Sequence, residues 1–203
     1  MPPVSNGQAG NPASNYLTDK GVTFRNLGIS GQTTQSMINN ATDVENAYVD
    51  GEKNILVLWE GTNSICNAGD TAAQAIQAMT TYIAARRASK QWAFILLLTC
   101  LPRQRSTQAD TLAKNAALDS YNATVLSSYK DMGATHVVDV RQVGSPFNMP
   151  DYNLQTFEDM AASTGLWAAN EVGAHVHLDA GYGVIAQMVA AELRRLPVSA
   201  RTT

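Results

Sequence analysis

Short apolar runs alternate with longer stretches of helical period along most of this chain, and that alternation sets the expected architecture. Residues 22–26 form the first run. Residues 55–59, Ile55-Leu56-Val57-Leu58-Trp59, form a second that is uniformly apolar, as a strand covered on both faces has to be. Residues 93–99 and 135–140 read as the third and fourth strands. Between the second and third, residues 71–87 repeat Ala72, Ile76, Met79 and Ile83 at helical spacing, with Arg86 and Arg87 suited to a last turn. Between the third and fourth, residues 110–132 place Leu118, Tyr121, Val125, Tyr129 and Met132 on one stripe, and Gly133 is positioned to cap it. A final helix over residues 184–196 carries Ile185, Met188, Val189, Leu193 and Leu196 on its inner side before Pro197 stops it. Strands that alternate with helices in this way predict an α/β fold with a mostly parallel sheet.

Two segments stand outside the pattern. Residues 1–15 are polar and turn-rich, with no apolar strand among them. Residues 144–167 mix Pro146, Pro150, Asn148 and Asn153 with Phe147, Tyr152, Phe157 and Trp167, the composition of a long loop with at most a short helix. In an open parallel sheet, such excursions from strand ends build or cover the ligand crevice.

Composition narrows the partners without changing the fold. The 203 residues, 45% apolar and 15% charged, are enough for one domain with a single core. Fourteen basic against 17 acidic residues give a net charge of −3, which draws the chain neither to nucleic acid nor to an anionic membrane. No apolar run approaches the roughly 20 residues of a membrane helix, and the first 30 residues carry no basic-then-apolar leader. A soluble protein is expected, cytoplasmic or secreted. Cys66 and Cys100 lack the spacing of a zinc site, and permit either a reducing compartment or one bridge.

Four stretches offer chemistry. Asn26-Leu27-Gly28-Ile29-Ser30-Gly31-Gln32-Thr33-Thr34 is a glycine-containing turn ahead of a helix, able to aim a backbone N–H at an anion or a developing oxyanion. Trp59-Glu60-Gly61-Thr62-Asn63-Ser64 follows the second strand, and an asparagine held there can give its side-chain N–H to an oxyanion or form an Asx turn. His175-Val176-His177-Leu178-Asp179-Ala180-Gly181-Tyr182 holds two of the three histidines, so a general base is sought in this pair. Two imidazoles alone do not hold a metal, no companion ligands are evident, and His136 reads as structural. Ser5-Asn6-Gly7 is the fourth, a serine that becomes a nucleophile only beside a base.

Taken in this order, the stretches resemble the blocks of the SGNH hydrolase superfamily, the GDSL-type esterases, from about Ser5 to Leu196. The run ending Ser30-Gly31-Gln32-Thr33-Thr34 looks like the family's second block, whose glycine gives an oxyanion-hole N–H, which implies that role for Gly31. Gly61-Thr62-Asn63 looks like the third block, which implies a second donor in Asn63. Leu96-Leu97-Leu98-Thr99-Cys100-Leu101-Pro102-Arg103 is similar to the strand and turn that follow. His177-Leu178 ahead of Gly181-Tyr182 looks like the fifth block, whose histidine is the general base. The resemblance implies a flavodoxin-like three-layer α/β/α sandwich, a catalytic set of Ser5, His177, Gly31 and Asn63, and hydrolysis of acetyl or short acyl esters, including those on carbohydrate. It implies no cofactor and no metal.

Three positions depart from the family pattern. No Gly-Asp pair and no apolar strand precede Ser5, which leads us to expect a shortened N-terminus or a rearranged first strand. The family's aspartate three residues before the histidine is absent in either register, since position 174 is Ala174 and position 172 is Val172. Glu171, Asp179 or a backbone carbonyl is left to orient the imidazole. Ser64 stands where the family often has aspartate after the asparagine. These departures favour, as the alternative, a relative that kept the crevice as a binding module and lost the chemistry. A flavodoxin-like nucleotide binder has no GxGxxG or GxxxxGK[ST] loop to support it.

Overall fold

Apolar runs of four or five residues, separated by helices, pair most simply as a parallel sheet, and three of the expected strands do so. β1 (Ile55–Leu58), β2 (Phe94–Leu98) and β3 (His136–Val138) lie in the order β1-β2-β3. Ile55 stands opposite Phe94, and Leu96 opposite His136. The computed structural model describes residues 23–105, 107–148 and 180–197. They fall into two compact units, one within Gly31–Thr156 and one within Met1–Ser30 and Phe157–Thr203.

In the first unit, two short helices, α1 (Thr34–Asn39) and α2 (Ala41–Ala47), precede the sheet. α3 (Ala72–Ser89) connects β1 to β2, and α4 (Gln108–Ser128) connects β2 to β3. Threonine starts both long helices. Thr71 accepts from the Gln74 N–H while the Gln74 side chain accepts from the Thr71 N–H, a complete capping box, and Thr107 accepts from the Asp110 N–H at 3.1 Å. α3 buries Ala75, Met79, Tyr82, Ile83 and Arg86, with Ala72 and Ile76 only partly covered, so its inner face is turned slightly from the expected stripe. α4 buries Leu118, Tyr121 and Val125 as expected. Together with Leu56, Leu58, Ile95 and Leu97 these side chains form the core. The N–H of Gly133 donates to the Lys130 carbonyl at 2.9 Å in the turn that ends the α4 segment.

Three expectations change. Residues 23–26 form no strand: Phe24 is half-buried while Thr23, Arg25 and Asn26 face solvent, too little apolar cover for a buried ladder. β1 is not sealed on both faces, since Val57 is 40% exposed between buried Leu56 and Leu58, the alternation of a strand with one open face. Arg86 does more than complement a helix end. It is buried, pairs with Glu45 Oε1 at 2.7 Å, reaches the Ala41 carbonyl at 3.3 Å and lies 5.3 Å from the Tyr82 ring centroid, tying α2 to α3.

In the second unit, α5 (Ala180–Arg195) begins four residues before the expected start and buries Ile185, Ala186, Val189, Ala190 and Leu193 along one stripe, with Leu196 buried just past its end. Of the long loop, residues 144–148 are described, and there Phe147 is fully buried. Its remainder lies outside the described residues. No described helix is long and apolar enough to cross a membrane.

Candidate active site

The turn after β1 and the turn before α1 are built as one piece. Gly31, at φ +73°, bends the chain into α1, where Thr33 caps the first turn by accepting from the Ser36 N–H at 3.2 Å. After β1, Gly61 at φ +137° redirects the chain into a π-helical turn, Ser64–Ala68, and the Ile65 N–H returns to the Gly61 carbonyl at 2.9 Å. π-Helical turns are uncommon and gather at functional sites.

Asn63, at the start of that turn, donates from Nδ2 to the carbonyl of Gln32 at 3.1 Å. Gln32 is the residue after Gly31, so the two expected oxyanion donors stand on neighbouring segments joined by a direct hydrogen bond. An amide Nδ2 carries two N–H groups, and a bond to Gln32 uses one of them.

Beneath this pair lies a buried polar knot. The Glu60 carboxyl accepts from the Ser64 N–H at 3.0 Å, the Ser64 hydroxyl at 3.1 Å and the Thr34 hydroxyl. The Ser64 oxygen in turn accepts from the Thr34 N–H at 3.1 Å, satisfying an amide at the head of α1. Thr34, Glu60 and Ser64 are all buried, where every unpaired polar atom carries a desolvation cost of about 1–3 kcal/mol. The knot therefore locks the two turns in register. Ser64, a departure from the family pattern on sequence grounds, is one of its three members.

The main chain at Glu60 is fixed as well. Its carbonyl accepts from the Tyr121 hydroxyl at 2.9 Å and from the Cys100 thiol at 3.7 Å. The turn after β2 is clamped to α4 by three buried side chains of that helix. Asn122 accepts from the Cys100 N–H and donates to the Cys100 carbonyl, Asn115 accepts from the Arg103 N–H at 2.7 Å, and Thr111 accepts from the Arg105 N–H at 2.9 Å. Lys114 on the same helix donates to the Ile65 carbonyl at 2.9 Å. The similarity of residues 96–103 to a family strand and turn thus corresponds to a segment that supports the π-helical turn.

Cys66 and Cys100 are free, buried thiols. Burial pushes the Cys66 thiol up, offset in part by Arg103, Arg105 and Lys114. Burial pushes Cys100 from 9.0 up to about 12, against a partial lowering by hydrogen bonding from Thr62. An acid whose folded pKa is raised stabilises the fold fully below its unfolded pKa and loses that contribution as pH climbs toward the folded value. As pH rises above 9 the unfolded chain releases the Cys100 proton while the folded chain retains it, so this group alone makes stability fall with rising pH. In urea titrations at pH 9 to 11, Cys100→Ala is expected to show a shallower alkaline loss than the parent. Equal slopes would refute the assignment.

Ser5 and His177, the expected nucleophile and base, lie outside the described residues, as do His175, Glu171, Ala174 and Asp179. Of the four expected catalytic residues the described structure thus places Gly31 and Asn63, and brings them together. His136 sits in β3 with Nδ1 3.0 Å from Thr135 Oγ1 and its ring edge-on to Phe94 at 5.6 Å. Among the described residues no group of three histidine, cysteine, aspartate or glutamate side chains could hold a metal. Thr34 and Glu60 were not legible as a pair, because the bond that joins them spans 26 residues of sequence.

A model of the GDSL-like lipase/acylhydrolase family matches residues 5–184. The structure is similar to a member of the lipolytic protein G-D-S-L family from Veillonella parvula, with a TM-score of 0.61 at 17% identity, over 91% of this chain and 88% of that one. That likeness shows the fold to be the expected α/β sandwich of the SGNH type. No curated protein matches the chain. A family match over residues 5–184, most of the chain, places the protein: it belongs to the GDSL-like lipase/acylhydrolase family.

Proposed function

We propose that the protein is a serine esterase that cleaves acetyl or short acyl carboxylic esters, including those carried on carbohydrate. Ser5 Oγ attacks the ester carbonyl while His177 takes the hydroxyl proton. The tetrahedral oxyanion is held by the N–H groups of Gly31 and Ser5 and by Asn63 Nδ2. The alcohol leaves with the proton from His177. Water then attacks the acyl-serine, gives its proton to His177, and the acid departs as Ser5 regains its hydrogen. The scheme uses no metal or cofactor.

The observation that supports this reading is the bond from Asn63 Nδ2 to the Gln32 carbonyl, braced by the Thr34–Ser64–Glu60 knot. Donors fixed before the reaction need no reorganisation as charge develops, which makes them effective in the transition state. The test is hydrolysis of p-nitrophenyl acetate. Asn63→Ala is expected to lower kcat by about 10²-fold with KM little changed, the lower end of what one oxyanion donor contributes. A variant as active as the parent would remove Asn63 from the mechanism.

A further inference from the structure

A cation and a second asparagine stand behind Asn63 in a chain of hydrogen bonds with a single polarity. Arg105 Nη1 donates to Asn67 Oδ1 at 3.2 Å, Asn67 Nδ2 donates to Asn63 Oδ1 at 2.9 Å, and Asn63 Nδ2 donates to the Gln32 carbonyl at 3.1 Å. The two ends allow only this direction, because a guanidinium has no acceptor and a backbone carbonyl has no donor. Turning either amide over would set oxygen against oxygen at one end and N–H against N–H at the other. Arg105 is itself held, by Asp110 Oδ2 at 3.2 Å from Nε and by Thr111, which accepts from its backbone N–H. The π-helical turn sets the geometry, since it carries Asn67 back over Asn63.

We infer that Asn67 and Arg105 are positioning residues which fix the Asn63 amide with its N–H groups, and not its oxygen, toward the oxyanion. Such a relay has an electrostatic consequence too. A donor whose carbonyl already accepts a bond from a cation-polarised amide is a stronger donor. The inference rests on the reading of Asn63 as an oxyanion donor.

The isosteric change Asn67→Asp is the discriminating variant. The new carboxylate keeps its partner Arg105 but offers no N–H to Asn63 Oδ1. Two oxygens then face each other at position 67, or Asn63 turns over and its oxygen faces the Gln32 carbonyl. Against p-nitrophenyl acetate, kcat is expected to fall about 10-fold in Asn67→Ala and toward the 10²-fold loss of Asn63→Ala in Asn67→Asp, with KM unchanged in both. The melting temperature of Asn67→Asp should equal or exceed that of Asn67→Ala. A purely structural role reverses the activity order, because the isostere would then be the milder change. If Asn63→Ala lowers kcat and Asn67→Asp does not, the relay is wrong and the esterase reading stands. If Asn63→Ala has no effect, the oxyanion reading fails, and a readout independent of turnover decides the relay. That readout is the ¹H–¹⁵N resonance pair of the Asn63 side-chain amide, identified by its loss in Asn63→Ala. It is expected to move in Asn67→Asp and in Arg105→Ala. A pair at its parental position in both variants overturns the inference.

Discussion

Gly61→Ala is expected to lower the melting temperature by about 10 °C. Two independent costs add at this position. Gly61 sits at φ +137°, where a side chain strains the backbone by about 1–3 kcal/mol. A Cβ there would also lie 2.8 Å from Tyr121 Cζ and 2.9 Å from Cys100 Sγ. Neither neighbour can give way, because both are fully buried, the Tyr121 hydroxyl is bonded to the Glu60 carbonyl, and Asn122 grips the Cys100 backbone. Overpacking of this kind costs about 1–3 kcal/mol, for a total near 4 kcal/mol. In a chain of this size each kcal/mol is worth about 2–4 °C. Gly69→Ala supplies the comparison, since Gly69 has φ +87° but a Cβ added there would meet nothing within 4 Å, and only strain applies. Thermal unfolding followed by circular dichroism should rank Gly61→Ala well below Gly69→Ala. Equal melting temperatures would mean that the contact with Tyr121 and Cys100 is not tight.

Ser5→Ala and His177→Ala are each expected to lower turnover of p-nitrophenyl acetate by about 10³-fold. The size follows from what is absent. In a complete serine triad, loss of serine or histidine costs about 10⁶ and loss of the carboxylate about 10⁴, and the effects do not add. With alanine at position 174, a chain in which nothing replaced the carboxylate would have only about 10² left to lose. The intermediate value is the one expected if a backbone carbonyl, one of the acceptors left open by the sequence, takes the imidazole N–H and so holds the tautomer. A loss above about 10⁵ would show that Glu171, Asp179 or another carboxylate has taken the place of the missing aspartate. The two single variants and the double variant should lose the same amount, because serine and histidine act as one unit.

The elements that could be read from the sequence are those whose stability is local or periodic. β1, β2 and β3 are apolar runs, and α3 and α4 pair an apolar stripe with a threonine cap, so each announces itself within its own residues. α1 and α2, six and seven residues long, are too short to repeat a stripe, and what holds them is tertiary: Ser64 and Glu60 on Thr34, and Arg86 on Glu45. Residues 23–26 mislead because their few β-formers alternate with exposed polar groups and no described strand pairs with them. The same division runs through the site. Gly31 and Asn63 could be put forward from sequence because a turn glycine and a strand-end asparagine carry their own chemistry. Glu60, Asn67 and Arg105 are invisible because their role is to hold another residue, and that needs the π-helical turn and the clamp of α4 on residues 100–105 to bring them within reach.

We expect Ser5 to be an activated nucleophile served by His177 and by the Gly31–Asn63 pair. A fluorophosphonate reports it directly, because only a serine beside a base and an oxyanion hole is phosphonylated at a useful rate. The intact protein is treated with the probe, digested, and the modified residue located by mass spectrometry, in parallel with His177→Ala. One phosphonyl group is expected, on Ser5, formed at least about 10²-fold more slowly in His177→Ala. A label on a different serine, or no label on a folded protein that hydrolyses p-nitrophenyl acetate, would contradict it.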